Sequence, residues 1–489
     1  MAQLTWVFNN ASGSDDWCSG AGPGNGLVPS GVPMSGVNAS FSGSVVTLDG
    51  SPDLSTFNAA TWGLWMRTVS GRQFYELSGF NNSTKTVTCV NAPSGLASGL
   101  QWAIGGKRKT IDGADSRQLM TNVDLKGTWS IYLEDDQTIT NVITFYNSSG
   151  SNSNFRVYGP ANRVTITQTA NANHFALGAT SGSSYQYLIE NLKFVNSNAT
   201  KTSAIALNNA GTAHVRAKNC VFSDSTNKLL NGIKCTTTFS ASAHVTVEDC
   251  LFDTCTGAGV NISSSNNNQS GHIFGCAFYS CNFGLSDNGQ IEQGGNNRLI
   301  VENCVIHGGS KNGIYIANAV VILIRNNAIH GNTGGSSDGI QVAAIGNTGN
   351  SVISIYNNNI TGNGRYGINV PTTNYYHSGG LMPQMFIDFN NFGTGSTANS
   401  SGARNNLTGG SKDMNVDPGY INIGLHNFNT TGASIASSGF PDSSHTLGGN
   451  PASGTIEYVD IGMQQQPSSA TVSSSTLPII KSKFNEGFN

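Results

Sequence analysis

Glu248, Glu302 and Arg325 hold the same place in a five-residue phrase that recurs through the middle of the chain, and they are the side chains best suited to acid–base chemistry. If each phrase marks one turn of a stacked structure, the column before its turn residue reads Glu190, Lys218, Glu248, Phe274, Glu302, Arg325, Tyr356 and Asp388. Glu248 and Glu302 then stand two rungs apart, roughly 9–10 Å of backbone, near the carboxylate separation of an inverting glycoside hydrolase. Arg325, one rung further, is placed to serve as the base of a lyase, with carboxylates or a calcium ion neutralising a sugar acid. The competing explanation is electrostatic: unlike charges about 4.8 Å apart along a wall pair with one another and keep it soluble. No companion motif stands beside these residues, so pairing is favoured and no catalytic role is assigned.

A second column, one residue beyond the last apolar position of each phrase, reads Val195, Ser223, Asp253, Tyr279, His307, His330 and Thr361. Stacked imidazoles beside Tyr279 and Asp253 are candidates for ligand binding or proton transfer. Two histidines without a third ligand make a poor metal centre, so a solvent-facing ladder is the expected arrangement, with neither metal nor cofactor assigned. His214 and His244 stack in the same manner. Cys220, Cys250, Cys276 and Cys304 share one slot of the phrase, and Cys255 and Cys281 share another, three residues past the phrase. Side chains stacked in register run parallel rather than meeting, so these thiols are expected to be reduced apolar fillers and not disulfides.

The elements that must carry these columns follow from the phrase itself. Its eight occurrences end at Phe194, Phe222, Phe252, Phe278, Ile306, Ile329, Ile360 and Phe392, at intervals of 28, 30, 26, 28, 23, 31 and 32 residues. A repeat of that length means a solenoid, because one unit cannot bury its apolar face without stacked neighbours. Between anchors the residues alternate apolar and polar with a period of two, as in His244-Val245-Thr246-Val247-Glu248, which specifies strands and excludes helical repeats. Asn191, Asn219, Asp249, Gly275, Asn303, Asn326 and Asn357 fill the turn position, all tolerant of the left-handed region. Phe389 breaks the pattern, so the coil is distorted there or the register slips onto Asn390. Stacked turn asparagines can hydrogen-bond along the axis. Gly232, Gly259, Gly284, Gly313, Gly339 and Gly367 precede a second apolar strand and are expected to turn the corner with positive φ. The fold class is therefore all-β, a single-stranded parallel β-helix.

On these repeats the chain resembles the right-handed parallel β-helix proteins, the superfold of pectate lyases, polygalacturonases and bacteriophage tailspikes, over about its middle two thirds. The right-handed sense comes from that resemblance and from the general rule for parallel crossovers. Enzymes of the fold keep their sites on the outer wall. The polygalacturonase phrases Asn-Thr-Asp, Asp-Asp, Gly-His-Gly and Arg-Ile-Lys have only isolated counterparts here, Asp135-Asp136 and Ser270-Gly271-His272, and the pectate lyase Arg-x-Pro-x-x-Arg is missing. Neither chemistry is carried over. Tyr458-Val459-Asp460-Ile461-Gly462-Met463 resembles a closing phrase, Asp-Ile-Gly-Ala, of β-helix repeat proteins of bacteria and their phages, with Met463 in place of Ala.

Composition narrows the function. Of 489 residues only 10% are charged and 60 are glycine, which suits strands joined by tight turns, and a net charge of -3 leaves no basic footprint for nucleic acid. No apolar run is long enough to span a membrane, and the start Met1-Ala2-Gln3-Leu4-Thr5-Trp6 lacks the features of a secretory signal. Four regions are expected: an N-terminal cap over 1–111, the β-helix over 112–415, a closing cap over 416–466 and a Ser/Thr-rich tail or attachment peptide over 467–489. Regular coils are expected to begin near Trp102-Ala103-Ile104. The preferred function is a non-enzymatic bacteriophage virion protein, a tailspike, fibre or capsid decoration, assembled in the host cytoplasm. Its expected partners are other virion proteins and host polysaccharide, with homotrimerisation implied by the tailspike resemblance. The alternatives are a lyase or hydrolase acting on an acidic polysaccharide through Glu248, Glu302 and Arg325, and a secreted or cell-surface adhesin.

Overall fold

The structure is a computed structural model that describes residues 4–9, 11, 34–55, 63–68, 71–89, 92, 100–104, 109–113, 127–145, 153–178, 184–198, 202–207, 212–223, 228–235, 243–263, 269–281, 289–294, 297–317, 319–344, 351–370, 384–407, 409–423 and 427–430. These fall into two compact units, Met1–His244 with Ser264–Asn268, and Val245–Ser263 with Gln269–Asn489. Each is a parallel β-solenoid whose coils contribute one strand to each of three walls, called A, B and C in chain order.

In the first unit, wall A is built from Leu4–Phe8, Gly127–Leu133, Ser153–Tyr158, Ser184–Glu190 and Thr212–Lys218, all parallel and in register. Wall B carries Gln137–Ile139, Val164–Gln168, Leu192–Asn196 and Val221–Ser223, and wall C carries Ile143–Phe145, Phe175–Leu177, Ile205–Leu207 and Ile233–Cys235. Alternation points Val215 and Ala217, Phe194 and Phe222, and Ile205 and Leu207 into a dry interior. The anchor rings of Phe194 and Phe222 stack at 5.1 Å and 7°. The expected N-terminal region thus supplies the first A strand, Leu4–Phe8. Between it and the next A strand lies a closed six-stranded antiparallel barrel of Met34–Ser42, Val45–Thr47, Gly63–Thr68, Gly71–Asn81, Thr86–Cys89 and Leu100–Ile104. Trp102-Ala103-Ile104 therefore belongs to this barrel and does not open the coils.

In the second unit, wall A is built from Gln269–Phe274, Asn297–Glu302, Ala319–Arg325, Val352–Tyr356 and Gln384–Asp388. Wall B holds Leu251–Asp253, Ala277–Tyr279, Val305–His307, Ala328–His330 and Asn359–Thr361, and wall C runs from Val260–Ser263 through Gly289–Gly294, Asn312–Ile316, Ile340–Val342 and Tyr366–Asn369 to Gly402–Asn405. Beyond the coils, Tyr420–Asn422 pairs with Asn427–Thr430 as an antiparallel hairpin. The closing phrase at 458–463 and the tail lie outside the described residues.

Between walls A and B every phrase turns through a left-handed residue: Asn191, Asn219, Asp249, Gly275, Asn303, Asn326 and Asn357 have φ between 50 and 63°. Phe389 has φ 55°, so the register does not slip onto Asn390; the corner geometry prevails over the side chain. A second left-handed corner between walls B and C, at Thr254, Ser280, Gly308, Gly331 and Gly362, was not read from the sequence. The glycines opening wall C were misread. Gly259, Gly313, Gly339 and Gly367 have ordinary φ, and they are small because the neighbouring coil presses on them: an added Cβ would lie 2.3 Å from Ile360 Cγ2 at Gly339 and 2.5 Å from Phe392 Cδ1 at Gly367. Gly284 lies outside the described residues.

The slot after the first corner is polar at one end of the second unit and thiol-filled at the other. Cys276 donates its thiol to Phe274 O at 3.2 Å and to Val247 O on the coil before at 3.5 Å, and burial pushes it well above the ordinary thiol range. The eight described cysteines are buried and free. On later coils the slot is filled by Asn327, Asn358 and Asn390, and a parallel ladder of Asn332, Asn363 and Asn399 follows the second corner. Asn358 Nδ2 donates to Asn390 Oδ1 and to Ile324 O, while its Oδ1 accepts from the backbone N–H and Nδ2 of Asn327. The turn asparagines themselves stack as the sequence suggested in the first unit, where Asn219 Nδ2 donates to Asn191 Oδ1 at 2.7 Å; in the second unit the Asn327, Asn358 and Asn390 ladder lies one position beyond the turn residues.

Candidate functional site

Wall A carries the first candidate column on its outward face. In the second unit Phe274, Glu302, Arg325, Tyr356 and Asp388 are register neighbours, one per coil. Glu302 is gripped from both sides. His272 Nε2 lies 2.9 Å from Oε1, while Arg325 places Nε and Nη2 each 2.8 Å from Oε2 and its Nη1 3.3 Å from Tyr356 Oη. Burial by itself would raise this carboxyl; the His272 hydrogen bond and the Arg325 charge overcome that and hold it at about 2. A carboxylate so fixed is ionised throughout the useful range and has both oxygens occupied, so it offers neither a proton nor a vacant base. Glu248 belongs to the same column but is buried, and Phe274 occupies the rung between it and Glu302. In the first unit Glu190 is likewise paired, with Arg156 at 2.7 Å.

The second column is also in register: Asp253, Tyr279, His307, His330 and Thr361 follow one another along wall B. It is not the solvent-facing ladder expected. The rings of His307 and His330 stack at 5.5 Å and 17°, His307 Nδ1 lies 3.1 Å from the carbonyl of His330, and His330 Nδ1 lies 2.9 Å from Thr361 Oγ1. Tyr420 closes over them, edge-on to His330 at 5.5 Å and 3.4 Å from Thr361 Oγ1. Burial pushes Tyr279 up to about 12 and Tyr420 further up. No group of three or more His, Cys, Asp or Glu side chains is placed to hold a metal among the described residues. His214 and His244 stack on wall A, ring centroids 4.4 Å apart.

A concavity that the columns did not anticipate lies in the first unit, a cleft of about 450 Å³ lined by Glu134, Asp135, Asp136, Asn162 and Arg163 among others. The Asp135-Asp136 pair noted in the sequence is therefore at its wall. Asp136 accepts the Thr165 N–H at 2.7 Å, Asp135 accepts the Ala11 N–H at 3.0 Å, and Glu134 accepts Asn9 Nδ2 at 2.8 Å. The carboxylates tie neighbouring coils and the N-terminal strand together, a use that a bare Asp-Asp pair does not signal.

The coils of each unit wind as a right-handed parallel β-helix. The family profile described as the right handed beta helix region matches residues 242–392, the stretch containing both columns of the second unit. No curated protein matches the chain in sequence.

Proposed function

We propose that the protein is a non-enzymatic structural component of a bacteriophage virion, a tailspike, fibre or capsid decoration, which presents β-helix walls to other virion proteins and to host-surface glycans. The observation that carries the non-enzymatic part is the double grip on Glu302, which turns the most plausible acid–base pair of the outer wall into a structural ion-pair ladder. The phage assignment is supported by the closing phrase at 458–463 and by the suitability of cross-coil hydrogen bonding for a stiff, protease-resistant element. Homotrimerisation is part of the proposal. Its support is the outward face of wall A, where Ile300, Leu323, Ser354 and Phe386 form one file and Val321 and Val352 stand in the file beside it, apolar at most of the positions where alternation would ordinarily place polar residues, with Val352 and Phe386 each 38% exposed.

Incubation with a panel of acidic and neutral polysaccharides tests the reading. Retention of a glycan without new reducing ends or unsaturated-sugar absorbance is expected. Release of either product would favour the lyase or hydrolase instead, and its persistence in Glu302→Gln would move the search to the cleft at Asp135 and Asp136.

A further inference from the structure

Wall A ends sooner than its neighbours. After the last wall C strand, Gly402–Asn405, the chain returns to wall B at Met414, which bridges to Asn391. On the way Ser411 and Lys412 meet wall A at its last residue: Lys412 N–H donates to Asp388 Oδ1 at 2.8 Å and Ser411 Oγ to Oδ2 at 3.3 Å. Among the described residues no strand covers the outer edge of Gln384–Asp388. Gln384 N–H points back to Ser351 O at 2.8 Å, so in a parallel ladder Met385 and Ile387 present their backbone groups to the open side. Arg404 Nη2 caps Ile387 O at 2.9 Å, while the N–H groups of Met385 and Ile387 and the Met385 carbonyl have no partner among the described residues. The side chains tell the same story. Met385 is the register partner of Ile353 on the core face, yet it is 37% exposed where Ile353 is 0%.

We propose that residues 455–460 dock on this edge as the next wall A strand, parallel to Gln384–Asp388, with Ile456 and Tyr458 closing the core over Met385 and Ile387. Wall A strands share a signature, apolar side chains four and two residues before the left-handed corner: Val245 and Val247 before Asp249, Leu299 and Val301 before Asn303, Ile353 and Ile355 before Asn357. Between residues 431 and 489 that signature, with Asn, Asp or Gly at the corner, occurs once, as Ile456, Tyr458 and Asp460. A tyrosine suits the position, since Tyr187 fills it before Asn191 at 2% exposure. In this register Glu457 stands outward beside Phe386. Its N–H meets the Met385 carbonyl and its own carbonyl meets the Ile387 N–H, while the Thr455 carbonyl accepts from the Met385 N–H. The chain reaches, because residues 431–454 can extend up to about 80 Å, against about 24 Å for five rungs of wall. Docking satisfies the backbone groups of an edge that would otherwise template pairing between copies, and it covers the apolar end of the stack.

Hydrogen exchange of the full chain, read at single amides, tests this. The Met385 and Ile387 amides should be protected in the unmodified chain. Tyr458→Asp, which puts a charge where the core closes, should speed their exchange at least about tenfold, while the Ile322 and Ile324 amides of the inner rungs stay protected. Glu457→Pro keeps both apolar side chains but removes the N–H that meets the Met385 carbonyl, and it should speed the same two amides. Ile480→Asp, further along the tail, should leave them unchanged. Met385 and Ile387 amides that exchange freely in the unmodified chain overturn the proposal. So does protection that both Tyr458→Asp and Glu457→Pro leave intact. Protection that these variants leave intact but dilution removes gives the edge to a second copy, and overturns it equally.

Discussion

Asn358 shows what a residue means in this molecule. Its amide is hydrogen-bonded to the coil before and the coil after, and Asn358→Ala would leave the Asn327 N–H and the Ile324 carbonyl without those partners in a dry interior. The expected loss is about 2–4 kcal/mol, checked by chemical denaturation. Glu302 makes an opposite kind of link, on the outside. Glu302→Gln should cost about 1–3 kcal/mol at pH 7, because half-buried Arg325 loses its counter-charge. Since the folded state holds this carboxyl at about 2, below its ordinary 4.5, its stabilisation is complete above pH 4.5 and disappears as the pH falls toward 2. The gap in melting temperature between the two proteins should therefore close over that range; a constant gap would show that the ion pair is not its source. Both partners of this link were legible in the sequence, since column position made Glu302 and Arg325 neighbours. His272 was not, because it stands two residues before the column on the neighbouring rung and reaches Oε1 diagonally.

At the scale of elements, corners and strands carry different information in their residues. The first corner was legible because asparagine and aspartate advertise left-handed geometry, and even Phe389 obeys it. The second corner was hidden: Thr254 and Ser280 adopt φ 56 and 51°, a region where residues other than Gly, Asn and Asp are uncommon and a β-branched one such as threonine most of all. The wall C glycines deceived for the opposite reason, since a glycine needed for room looks the same in sequence as one needed for rotation. Gly339→Ala should accordingly cost about 1–3 kcal/mol by overpacking against Ile360, while Gly335→Ala, whose Cβ meets nothing within 4 Å, should leave the melting temperature unchanged. Equal effects would remove the packing explanation. The antiparallel barrel at 34–104 escaped the sequence reading because a repeat search sees only what recurs, and the barrel occurs once between two rungs of wall A.

Over the whole chain, each unit repeats one rule: a side chain's task is set by its slot in the winding and its neighbours one coil away. The Cys-to-Asn exchange in the second unit illustrates it, for Cys304 offers its backbone N–H to Asn327 in the same way that Asn327 offers its own to Asn358. If the apolar file on wall A joins copies of the chain, light scattering should give three times the 51.1 kDa chain mass, and Leu323→Lys should return the monomer. The most direct test of the stacking rule is a pair of double-mutant cycles. Asn358→Ala with Asn390→Ala joins residues 32 apart in one ladder, whereas Asn358→Ala with Asn363→Ala joins residues five apart in separate ladders. Coupling of about 1 kcal/mol or more in the first cycle and additivity within about 0.5 kcal/mol in the second is the expected result; coupling that follows chain proximity instead would contradict the account.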